Sequence, residues 1–379
     1  MKTLIKLMVN KREQHIVNLK GSPATRRRTS TTGGSRGAVL SFALALAMAN
    51  AATATPAVDA MLPGRVVSDS SEAAAMFKQA ASRPVQPFVA PTRADLPTGE
   101  AGELVRYGME LLQHTSELIG PRVVDPARRH SRNDLNCVSC HQAGPSGLPG
   151  TKPFALPLVN VVNDYPKLDP KSMKITSLVM RITGMLGQAA TPIAPESREM
   201  RAMIAYITWL GSKSQPGRAM EGTGLDERMV MPARAADVAR GAVLYGGKCA
   251  GCHGPQGLGV RNEGFERGRG YAIPPIAGDD AYDDGGHMYM LPLMTRFLRA
   301  NMPLGASLQA PQLSVEDAYD IAAYVNTELP RKHNSSRTSM YPDVRFRAVG
   351  FAIPELFPGD DAAYRKARLG PFHPAGRLD

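Results

Sequence analysis

Cys137-Val138-Ser139-Cys140-His141 and Cys249-Ala250-Gly251-Cys252-His253 contain every cysteine of this 379-residue chain. In each stretch two thiols three positions apart share one helical turn, and a histidine directly follows the second thiol. A CxxC pair alone suits a zinc site, a dithiol redox pair or disulfides. The adjoining histidine, present twice, points to another chemistry: both thiols add to the two vinyl groups of one haem while the imidazole reaches its iron. Cys137, Cys140, Cys249 and Cys252 are then attachment points, His141 and His253 proximal ligands, and the cofactor is two covalent haem c groups.

Similar segments flank each motif. Before the first, Leu104, Tyr107, Leu111, Leu112 and Leu118 recur at helical spacing and predict a helix over about 99–118. After it come a Gly/Pro-rich loop over 144–157, an apolar pattern over 174–186 interrupted by Pro192 and Pro195, and an amphipathic helix over 196–210. The second motif follows a helix expected over 236–245 and precedes helices expected over 291–300 and 314–327, the last capped from Ser314. Few strands are evident. The fold expected is all-α, with two tandem cytochrome c-type domains over 99–212 and 233–330, a linker over 213–232 and a wrapping tail over 331–379.

The repeat also nominates distal ligands. The motifs stand 112 positions apart, and Ile204-Ala205-Tyr206-Ile207 matches Ala322-Ala323-Tyr324-Val325 at an offset of 118. Between these anchors Met185 and Met302 are separated by 117. A thioether suits an iron that stays bound in both redox states, and His/Met ligation raises the potential. Met302 precedes Pro303, which would fix a loop aiming sulfur at the ring. Met185 has no such proline and competes with Met173 and Met180. His114 and His130 are expected at the surface or in packing.

Charge is uneven. Residues 1–54 carry nine Lys or Arg against the single acid Glu13, so the formal net charge of +11 falls to +3 over 55–379. Four haem propionates would bring the mature protein near neutrality, which leaves nucleic-acid binding without support. The basic segment leads into the apolar run 38–49 and small residues around Ala49-Asn50-Ala51, which together describe a secretory signal over 1–54 and a periplasmic destination. The run is too short to span a membrane. Arg26-Arg27-Arg28 stands too far from it for a convincing twin-arginine signal. Residues 55–98, rich in Pro and Ala, are expected as a linker with a short helix over about 71–81.

From about Gly102 to Phe372 the chain resembles the dihaem thiosulfate dehydrogenases. The likeness rests on Phe154-Ala155-Leu156-Pro157, Asp164-Tyr165-Pro166, Arg181-Ile182-Thr183-Gly184, Pro274-Pro275-Ile276-Ala277-Gly278, Asn301-Met302-Pro303-Leu304-Gly305 and Leu369-Gly370-Pro371-Phe372. It implies a periplasmic cytochrome that couples two thiosulfates into tetrathionate, with substrate at the first haem. In that family a cysteine after the Arg-Ile-x-Gly run ligates the first haem; here the position is Met185 and no fifth cysteine exists. An arginine expected after the Tyr-Pro pair is represented by Lys171, while Arg181 is kept.

A thioether does not donate charge to iron as a thiolate does. Lys171 and Arg181 either pair with haem propionates or, with Met185, form the substrate side of the first haem. The expected function is electron transfer to a redox partner such as a soluble cytochrome or terminal oxidase. The alternative is oxidation of thiosulfate or another small sulfur anion at the first haem, and an accessory subunit of a larger complex would look the same.

Overall fold

Short polar side chains start most of the helices in the computed structural model, which describes residues 61–372. The secretory signal expected over 1–54 lies outside them. Ser177 caps α4 (Leu178–Leu186) by accepting from the Met180 N–H, and Ser197 caps α5 (Arg198–Leu210) from Met200. Asp237 caps α6 (Val238–Lys248), and Ser314 caps α9 (Val315–Thr327) as its sequence implied. α1 (Ser70–Ala81) starts at Asp69, and α10 (Asp361–Leu369) at Asp360.

The helix expected unbroken over 99–118 divides at His114 into α2 (Gly99–Gln113) and α3 (Thr115–Ile119). Hydrogen bonds explain the break. Thr115 Oγ1 donates to the Leu111 carbonyl and accepts from the Cys137 N–H at 3.1 Å, while Asn136 Oδ1 accepts from both Ser116 N–H and Oγ–H. The turn at His114 thus aims α3 at the first motif. The apolar pattern over 174–186 also divides, into a strand and then α4.

Strands are short and paired. β1 (Val85–Gln86) lies parallel to β4 (Ala219–Met220), β2 (Lys167–Asp169) antiparallel to β3 (Lys174–Thr176), and β5 (Val260–Arg261) antiparallel to β6 (Tyr271–Ile273). Helix packing therefore makes the fold all-α.

Two large apolar cores form among the described residues, beside two smaller clusters. Leu111, Leu112, Ile119, Met200, Met203, Tyr206 and Leu210 centre the first. Tyr245, Leu291, Met294, Tyr319, Ile321, Ala322 and Val325 centre the second, with α8 (Leu291–Asn301) along one side. In each, the opening helix crosses the closing helix at a glycine. A Cβ on Gly108 would lie 2.0 Å from the Ala202 carbonyl oxygen, and one on Gly241 2.0 Å from that of Asp320. Ala202 and Asp320 are related by the same offset of 118 that the repeat carries.

The Pro/Ala-rich stretch is less of a linker than its composition implies. Val67 and Ala73 are buried against Leu168, Met173 and Ile175, because α1 has an apolar face to cover. The tail reaches both halves of the chain: Tyr341 N–H donates to the Lys171 carbonyl at 2.9 Å, and Phe372 is buried against Tyr319 in the second core.

Gly241→Ala should destabilise the protein by about 1–3 kcal/mol through overpacking. Gly247→Ala, on the same helix with nothing within 4 Å, should stabilise it by about 0.5–1 kcal/mol. Thermal unfolding of the two variants would show opposite shifts; shifts of equal sign would contradict the close crossing.

Candidate functional site

Both motifs fold into the same local shape. The His141 N–H donates to the Cys137 carbonyl at 2.9 Å, and the His253 N–H to the Cys249 carbonyl at 2.9 Å. The first turn spans Cys137–Ser139 and the second lies in α7 (Ala250–His253). The helical spacing read from the sequence therefore presents both sulfurs of each motif on one side.

None of the four cysteines forms a disulfide. Cys140 and Cys252 remain open to solvent, yet the protein around Cys140 pushes its thiol up to about 11. A side chain that solvent can reach though protein surrounds it lines a crevice rather than an outer surface. Burial also pushes Cys249 up to about 11. Cys137 is raised by burial, against a hydrogen bond from Thr115.

Each histidine is oriented by a backbone carbonyl. His141 Nδ1 lies 2.5 Å from the Leu156 oxygen, and His253 Nδ1 2.9 Å from the Pro274 oxygen. Opposite a carbonyl, Nδ1 must carry the proton, which leaves the Nε2 lone pair free for a metal. Burial lowers both histidines below their ordinary value, and the nearby Arg181 charge lowers His141 further. Both are neutral at pH 7, as ligation requires.

Met302 is half-buried against the second core. It follows α8, its N–H still bonded to the Leu298 carbonyl at 2.9 Å while its backbone turns extended. Met185 lies one turn beyond Arg181 on α4, with 57% of its surface exposed. Positions four apart share a helix face. Met185 therefore shares a face of α4 with Arg181, whose charge lowers His141. Of its two competitors, Met173 is buried with α1 and Met180 is 39% exposed.

Cations gather at the first crevice. The surrounding protein brings Lys171 down to about 8, helped by Arg181. Its Nζ donates to the Gly285 carbonyl at 2.6 Å. Desolvation lowers His287 to about 3, followed by the charges of Lys171, Arg181 and Lys167. Lys167 lies over the Tyr165 ring, and the Arg181 side chain has no ion pair or hydrogen bond among the described residues, its backbone N–H alone donating to the Ser177 carbonyl.

His287, Tyr282 and Gly285 come from the second half of the chain, so that half helps to build the first crevice. Tyr282 stands close enough to Cys140 for the two to interact electrostatically. The sequence held no signal for His287, which lies in a glycine loop outside any motif. His130 packs as expected, Nδ1 against the Thr191 carbonyl.

A bound tetrapyrrole would complete these surroundings. Arg299 keeps Nε and Nη1 buried without partners, and Arg296 and Arg347 each keep an unpaired buried Nε. Buried guanidinium N–H groups require acceptors, and carboxylates such as haem propionates would supply them. Among the described residues no three His, Cys, Asp or Glu side chains gather as a metal site of another kind. Nor is any helix there long and apolar enough to cross a membrane.

Comparison with known proteins agrees. Residues 238–328 match the cytochrome c family model. A thiosulfate dehydrogenase of Stutzerimonas stutzeri (strain A1501) is 31% identical over 242 residues, covering 63% of this chain and 72% of the relative. One from Psychrobacter arcticus is 30% identical over 257 residues, covering 67% of this chain and 71% of the relative. The solved thiosulfate dehydrogenase (TsdBA) from Marichromatium purpuratum, in its "as isolated" form, superposes with a TM-score of 0.54 at 32% identity. That match covers 65% of this chain, which spans only 50% of the solved chain.

Fold, motifs and matches together define a c-type cytochrome with covalently held haem c. Within that class, the chain belongs to the thiosulfate dehydrogenase family.

Lys171 is charged below and neutral above about pH 8. Sulfate, as a test dianion, should therefore bind the haem-loaded protein more weakly as pH rises through that value, and Lys171→Arg should carry binding to higher pH. Calorimetric titration checks this; coincident pH profiles would show that Lys171 holds no anion.

Proposed function

We propose that this chain is an exported, periplasmic dihaem cytochrome that passes electrons to a redox partner such as a soluble cytochrome or a terminal oxidase. Its two cytochrome c domains span 99–212 and 233–330, joined by the linker 213–232 and covered by the tail 331–379. Cys137 and Cys140 hold one haem c, Cys249 and Cys252 the other, and His141 and His253 are the proximal ligands. Met302 is the distal ligand of the second, and Met185 that of the first, where relatives would use cysteine. The observation that carries this reading is the duplicated motif geometry, each imidazole fixed through Nδ1 by a carbonyl.

Bound haem supplies one-electron chemistry at each site. The protein's part is to orient the imidazoles, and it would supply Met185 and Met302 thioethers as further ligands and exclude water with the two apolar cores. Thioether in place of thiolate favours a high potential at the first site and removes a sulfur nucleophile. Both effects favour a carrier over an enzyme.

A second reading is favoured by the cations near His141. Lys167, Lys171 and Arg181 meet there with His287, a setting that suits a small dianion such as thiosulfate. In that case Lys171 and Arg181 hold substrate beside Met185, and two thiosulfates give tetrathionate and two electrons.

Turnover of thiosulfate with ferricyanide, in the haem-loaded mature protein and in Met185→Cys, separates the two. An inactive native protein with activity gained in the variant is the expected result; an active native protein would establish the second reading. Met302→Ala should lower one haem potential in a redox titration and leave covalent haem content at two per chain. An unchanged potential would remove Met302 from the ligand set.

A further inference from the structure

The two halves meet at a buried amide beside one of the proposed ligands. Asn301 is 0% exposed and ends α8, immediately before Met302. Its Nδ2 donates to the Phe154 carbonyl at 2.8 Å and to the Phe297 carbonyl at 3.0 Å. The first bond crosses from the second half of the chain to the first; the second is local to the helix.

Phe154 belongs to the loop that orients His141. Two residues later the Leu156 carbonyl faces His141 Nδ1 at 2.5 Å. Phe154 and Leu156 have φ of 59° and 52°, a left-handed conformation that is unfavourable for non-glycine residues. Such a loop holds its shape only where its surroundings impose it. Asn301 is one restraint, and the Phe154 N–H donating to the Gly222 carbonyl at 2.8 Å is another. The Asn301 end is equally committed, since no other side chain type of this size offers two N–H donors on one nitrogen.

We propose that Asn301 is a positioning residue that locks the proximal loop of the first haem to the distal methionine of the second, so that the two iron environments are set together. The proposal rests on the ligand assignments above. Through Nδ2 the Phe154 carbonyl fixes where α8 ends, and so where the Met302 sulfur emerges. Through the same bond α8 braces the strained 154–156 segment, and so the His141 ring.

The test uses the full haem-loaded protein and three variants. Asn301→Leu fills the space without donors. Asn301→Ser keeps a hydroxyl able to bond the Phe297 carbonyl, one helical turn back, but cannot reach Phe154; it carries the test if the leucine variant does not accumulate. Met302→Ala is the reference. The readouts are the thioether-to-ferric-iron absorption band, both haem potentials, and imidazole binding to the ferric protein.

Both Asn301 variants should lose part of the band that Met302→Ala removes, bind imidazole at least about tenfold more tightly, as expected for the loss of one or both buried hydrogen bonds, and shift both potentials. Met302→Ala should shift only one. Wild-type band and potentials in Asn301→Ser would overturn the proposal, as would a shift confined to the second haem, which would limit Asn301 to α8. A band unchanged in Met302→Ala would instead sink the ligand assignment, and the proposal with it.

Discussion

Each half of this protein depends on two helices crossing at backbone distance. Gly108 and Gly241 have no side chain to interpose, so a carbonyl of the closing helix sits where a Cβ would be. Only at that separation do the aromatic residues nearby find their places. Tyr206 reaches the Pro149 carbonyl at 2.9 Å, and Tyr245 the Gly254 carbonyl at 2.6 Å, each bond tying a helix to the loop behind its motif. The halves meet the same constraint with different chemistry. Where the first crossing has Ala202, the second has Asp320, wholly buried and held by Arg234, Arg240 and the Asp237 N–H. Burial alone would raise that carboxyl, but its hydrogen bonds outweigh burial and hold it below its ordinary value.

The repeat does not make two independent modules. Asn133 Nδ2 donates to the Asp280 carbonyl, Arg132 pairs with Asp283 at 3.4 Å, and Arg122 joins Asp134 to Glu266. Residues 280–287 thus stand against the first motif, although they follow the second in sequence. Of these only the Arg122–Glu266 pair is exposed enough to contribute little to stability, while Asp134 is buried and Asp283 half-buried. Their weight here is geometric, since they fix which loop closes which crevice.

Much of this was legible beforehand. The doubled cysteine motif, the helices ending at Leu210 and Thr327, and the Ser314 cap follow from local periodicity and capping chemistry, which act within a few residues. The offset of 118 correctly paired residues that occupy the same place in the two crossings. What could not be read depends on distant partners. The break at His114 is decided by Asn136 and Cys137, more than twenty positions on. The packing of α1 depends on Leu168 and Ile175. His287 had no pattern to mark it, because its neighbours Lys167, Lys171 and Arg181 are more than a hundred residues away. The glycines of the crossings were missed for a related reason: within a helix pattern glycine reads as a weakness until the opposing backbone is seen.

Lys171 gathers three parts of the chain at one residue. Its side chain is held by Gly285, its backbone carbonyl by Tyr341, and both partners lie far downstream. The site that appears first along the polypeptide is therefore completed last. During synthesis the first motif emerges with its cysteines on an unfinished wall, and the second half must fold before that wall closes. The tail, through Tyr341, is the last fastening of that wall.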